Sequence, residues 1–112
     1  ELRSPDPTAN PYLAIAVALM AGLDGIKNKI EPPAHMDENA LSMTEKEREE
    51  ACIKTLPDTL MAAIEAFRED PFMKEVLGEQ VYNTYLEEKL NEWNEYRAVV
   101  TDWEVSKYLY RY

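Results

Sequence analysis

From Tyr12 to Ala21 the chain is apolar on every side. A helix with no polar face must be covered all round, by protein or by lipid. The run from Pro11 to Leu23 would span only about 20 Å as a helix, too short for a bilayer. Gly22, Asp24 and Gly25 then break the apolar run. The segment reads as a core helix of a large assembly, one that a chain of 112 residues would not easily cover by itself. Asn10-Pro11 sets its start, with Asn as N-cap and Pro at the first helical position. Its end falls at Lys27-Asn28-Lys29.

Ahead of this helix stands Glu1-Leu2-Arg3, which reads as the last residues of an extended segment. On a strand, alternate side chains face the same way, so Glu1 and Arg3 would project from one surface. A carboxylate beside a guanidinium suits a site that holds a metal ion and an anionic substrate group together. The plainer reading is a surface ion pair. Pro5 and Pro7 fix φ and remove amide donors, so the chain turns here instead of continuing as a strand.

After a polar connection from Glu31 to Asn39, the chain reads as helices. Thr44 and Glu47 have capping-box spacing and open a short charged helix to about Ile53. Leu60, Met61, Ile64 and Phe67 fall on one helical face. Asp70-Pro71 starts another helix to Leu77, and Gly78 separates it from the longest one, roughly Glu79 to Val99. Val81, Tyr82, Tyr85, Leu86, Leu90, Trp93 and Tyr96 form its apolar stripe, read as core packing rather than a ligand platform. Glu87, Glu88, Asn91, Glu92 and Glu95 form a solvated face. Thr101 and Glu104 give a second capping box before an aromatic tail from Trp103 to Tyr112. That tail is too apolar for a solvated terminus and either folds back or docks on a partner. No second strand with turn chemistry is visible, so the fold class is mainly α.

A formal net charge of −10 argues against nucleic acid or an anionic membrane surface as partner. No targeting or transmembrane segment is evident. Cys52 is the single cysteine, so no internal disulfide forms, and a buried or half-buried reduced thiol is expected. Without a nearby histidine it is not read as a nucleophile. His35, near Asp37 and Glu38, reads as a solvated loop histidine rather than a metal ligand.

The N-terminal thirty residues resemble the glutamine synthetases, most closely the class I prokaryotic enzymes. The resemblance is carried by Glu1-Leu2-Arg3, Pro5-Asp6-Pro7, Asn10-Pro11-Tyr12-Leu13 and the run Ala21-Gly22-Leu23-Asp24-Gly25-Ile26-Lys27-Asn28-Lys29-Ile30. Leu56-Pro57, Leu77-Gly78, Glu92-Trp93 and Trp103-Glu104 extend it over the whole chain and are similar to the alpha subtype. The resemblance implies the helical C-terminal part of a catalytic domain whose parent fold is α+β. Residues 1–8 would then be the end of an active-site strand and its turn. Residues 9–112 would be a helical region ending in an aromatic oligomerisation tail. The missing initiating Met fits an excised fragment, inactive alone, with most of the active site lying before Glu1.

By the same resemblance, Glu1 falls at a family glutamate that helps bind Mg²⁺ or Mn²⁺. Arg3 falls at a family arginine that binds substrate glutamate, and no catalytic residue is assigned. The implied reaction is ATP-dependent ligation of ammonia to the glutamate side chain through an acyl phosphate. Metal and arginine charge would offset the crowded negative charge. The implied assembly is a cytoplasmic dodecamer of two stacked hexameric rings, with C-terminal helices reaching into the opposite ring. That tilts the tail toward docking. Feedback inhibition by glutamine is a further family expectation. No tyrosine lies between Leu13 and Val81, and Leu41 stands near the place of the tyrosine that some class I enzymes adenylylate, so no adenylylation is expected. Two other readings stand beside this one: a γ-glutamyl-polyamine ligase of the same superfamily, and a stand-alone helical assembly module.

Overall fold

The computed structural model describes residues 2–33, 35 and 42–111. Among them are five helices and no strand: α1 (Pro11–Lys27), α2 (Glu45–Glu50), α3 (Leu60–Glu69), α4 (Pro71–Tyr96) and α5 (Asp102–Tyr108). The mainly α class read from the sequence is the observed one.

Each helix begins where a side chain can take up a free amide. The Asn10 side chain accepts from the Tyr12 and Leu13 amides at 3.0 and 3.3 Å, with Pro11 needing no partner. Thr59 accepts from Ala62 at 3.1 Å. Asp70 ends α3 and caps α4, accepting from the Phe72 amide at 2.9 Å. The two capping boxes form as their spacing predicts. The Glu47 carboxylate accepts from the Thr44 amide at 2.7 Å, and Glu104 from Thr101 at 2.8 Å, with the threonine hydroxyls accepting in return.

Those threonine bonds, the backbone amide foremost, hold the Glu47 and Glu104 carboxyls below the ordinary glutamate value of 4.5. A carboxyl whose folded pKa is depressed contributes stability above its unfolded value and loses it as pH falls through the folded one. Helix α5 is therefore expected to lose helical signal as pH drops below 4.5. In Glu104→Gln, which has no carboxyl to titrate, this acid step should vanish, whereas Thr101→Ala keeps the backbone amide bond and should only reduce it, as followed by the α5 amide resonances across a pH titration.

Two helix ends use left-handed residues that are not glycine. Lys29 has φ 51, and its amide donates to Ile26 while that of Ile30 donates to Gly25. Cys52 has φ 55, with its own amide on Glu49 and that of Ile53 on Arg48. Both are Schellman closures. This second closure ends α2 at Glu50, three residues short of the expected Ile53, and it corrects the expectation for the thiol. Cys52 is exposed, because a residue in the left-handed turn beyond a short surface helix points into solvent.

The packed centre is the α3–α4 pair. Ile64 and Tyr82, 3% and 8% exposed, are the buried apolar residues among those described. Phe67 stacks on Tyr82 at a ring separation of 5.0 Å and tilts against Tyr85 at 5.4 Å. The Tyr82 hydroxyl donates to the Arg68 carbonyl at 3.3 Å, satisfying one of the free carbonyls of the last turn of α3. The aromatic stripe of α4 is thus core where it faces α3, and its ends Val81 and Tyr96 are exposed. Its acidic face is solvated as expected.

Gly78 interrupts α4 at φ 73, ψ 159, where the sequence reading placed the boundary between two helices. That region of backbone space is essentially glycine's alone. An added Cβ would meet nothing within 4 Å, so the cost of Gly78→Ala is in the backbone. It is expected at about 1–3 kcal/mol, read as a lower denaturation midpoint. The second half of α4 stops at Tyr96, short of Val99, because Thr101 must be extended (φ −82, ψ 154) to cap α5.

Helix α1 packs along α4 but keeps no buried residue. Tyr12 is 84% and Ile26 77% exposed, and Ile15, Leu19 and Leu23 are exposed as well. The core position read from its composition is therefore not reached within this chain. Every residue from Asn94 to Arg111 is also exposed, so the tail does not fold back on the bundle. The radius of gyration is 18.3 Å, against about 13 Å for a compact chain of similar length.

Candidate functional site

Glu1, the residue expected to hold a metal, lies outside the described residues, as do Asp37, Glu38, Leu41 and Tyr112. Arg3 is described: it is exposed, in neither helix nor strand, and immediately precedes a turn. His35 is exposed as well. Among the described residues no three His, Cys, Asp or Glu side chains converge on a point that could hold a metal. A divalent ion at Glu1 would need further ligands from outside these residues.

The turn after Arg3 is tightly made. The Asp6 carboxylate accepts from the Thr8 amide at 2.7 Å and from the Thr8 hydroxyl at 2.6 Å through the same oxygen. The Ala9 amide donates to the Asp6 carbonyl at 3.1 Å. Hydrogen bonds from Thr8, its hydroxyl first, keep the Asp6 carboxyl below its ordinary 3.8, so it is ionised at neutral pH. Pro5 and Pro7 fix φ on either side of it. Asn10 follows directly as the cap of α1. Attention to the prolines alone passes over Asp6 and Thr8, although an Asp two residues before a Thr is a readable turn signal.

This turn forms one wall of a groove of 640 Å³. The opposite wall belongs to α3 and α4, with Ile64, Phe67 and Tyr85 as its apolar floor and Lys89 and Glu92 on its rim. Lys89 is paired with Glu92, a hydrogen bond that raises the lysine above its ordinary range, and it also lies over the Tyr85 ring. The helices that form the core therefore also border the segment that carries Arg3.

The family model described as the glutamine synthetase catalytic domain matches residues 1–108. The chain is 48% identical to a glutamine synthetase of Clostridium saccharobutylicum and 49% to one of Thermus thermophilus, in each case over all of its length. It is 52% identical to one of Methanosarcina mazei over 97% of its length. The chain spans about a quarter of the length of these curated relatives. With a family model covering nearly the whole chain, and a helical architecture that agrees with it, the chain belongs to the glutamine synthetase catalytic-domain family.

Proposed function

We propose that these residues are the C-terminal part of a glutamate–ammonia ligase, and that they contribute Arg3 to glutamate binding and Glu1 to a divalent metal. The family match over residues 1–108, which includes the Glu1-Leu2-Arg3 motif, is the observation that carries this reading. In the proposed reaction ATP phosphorylates the side-chain carboxylate of glutamate, and ammonia displaces phosphate from the acyl phosphate. Arg3 grips a carboxylate of the substrate in a planar two-pronged contact and sets its orientation. Mg²⁺ or Mn²⁺, when bound, neutralises phosphoryl charge. Residues 1–8 are proposed as the end of an active-site strand and turn, and residues 9–112 as the helical region that backs it.

The exposed Trp103, Tyr108, Leu109 and Tyr110 support an oligomerisation role for the tail, and the dodecamer of two hexameric rings is proposed from the family resemblance alone. A cytoplasmic location is proposed from the family resemblance; among the described residues no helix is long and apolar enough to cross a membrane.

The test is phosphate release by the full-length polypeptide with ATP, glutamate and Mg²⁺. Release that requires ammonia supports the proposal. Release with putrescine instead of ammonia replaces it by a γ-glutamyl-polyamine ligase, and absence of both leaves an assembly role. Truncation before Trp103 is expected to lower the particle mass by light scattering.

A further inference from the structure

We propose that Asp6 is a positioning residue for Arg3: through Thr8 it locks the turn that fixes the direction in which the arginine leaves α1. This inference rests on the proposed role of Arg3 in holding glutamate. Between Arg3 and the first turn of α1 the chain has seven residues, Ser4 to Asn10, and most are individually restrained. Two are prolines. The Asp6 carboxylate takes both polar hydrogens of Thr8, its carbonyl takes the Ala9 amide, and Asn10 is held by the helix it caps. The same residues face α3 and α4 across the groove.

A guanidinium fork works only when aimed, and displacement by about 1 Å can cost a factor of up to roughly 100 in rate. The Asp6–Thr8 bonds are local and exposed, so their loss frees the turn without opening the Ile64–Tyr82 core. Asparagine keeps an oxygen that accepts both Thr8 hydrogens, whereas alanine keeps none.

The experiment is steady-state kinetics of the full-length enzyme with glutamate and ATP varied separately, for Asp6→Ala, Asp6→Asn, Thr8→Val and Arg3→Ala. Asp6→Ala is expected to raise the KM for glutamate about tenfold and leave that for ATP within about twofold. Asp6→Asn should restore the glutamate KM to within about threefold of the parent, and Thr8→Val, which keeps the amide bond, should fall between the two. Should Asp6→Ala unfold the enzyme, the Asn and Val variants still carry the comparison. If Arg3→Ala raises the glutamate KM while Asp6→Ala and Thr8→Val do not, the positioning role is overturned and the role of Arg3 stands. Equal rises for glutamate and ATP, or an Asn variant no better than Ala, also overturn it. An unchanged glutamate KM in Arg3→Ala overturns the reading beneath it.

Discussion

Arg3→Ala in the full-length enzyme is expected to lower kcat/KM for glutamate by about 100- to 1,000-fold, the usual cost of removing a preorganised charge partner. ATP binding should change little. Arg3→Lys should recover only part of the loss, because an ammonium keeps the charge but not the planar fork. Initial rates at saturating ATP with glutamate varied over a wide range provide the measurement. A change below about threefold in Arg3→Ala would remove the residue from the site. The position of Arg3 makes this a clean test: it is exposed and outside every helix, so its loss takes nothing from the α3–α4 core.

The second large effect concerns stability. Ile64→Ala is expected to destabilise the fold by about 3 kcal/mol, the usual range for a large-to-small change in a packed core. Ile64 is 3% exposed, and the stacked Phe67 and Tyr82 rings lie beside it on the same helix pair. A cavity there removes support from the wall that faces the Asp6 turn as well. Glu65→Ala, on the next residue and exposed, should stay within about 0.5 kcal/mol. Chemical denaturation of the two variants side by side separates a core effect from a helix-propensity effect.

The features legible in the sequence were those decided locally. Asn10-Pro11, Asp70-Pro71 and the two threonine–glutamate boxes each place a hydrogen-bond acceptor one turn from an amide that needs it, and each helix starts there. Gly78 broke the helix as expected, because no other residue reaches its backbone angles so readily. Other features depend on what lies farther off. The composition of α1 says that it seeks cover without saying what supplies it, and within this chain nothing buries it. Cys52, as a lone cysteine, was expected buried or half-buried, whereas the end of α2 turned it outward. At the candidate site, the proposed role of Arg3 rests on the family motif. Its spacing from Glu1 is common to any surface pair, and the Asp6–Thr8 lock stood behind two more conspicuous prolines.

The uncovered flank of α1 has a thermodynamic consequence. Five large side chains, Tyr12, Ile15, Leu19, Leu23 and Ile26, stand in water there. Any surface that closes over them gains roughly 10 kcal/mol from their transfer, as much as the whole margin by which a typical domain stays folded. A helix held that strongly by its cover cannot melt separately from it. Heating should dissolve both in a single calorimetric peak, with no earlier transition belonging to α1.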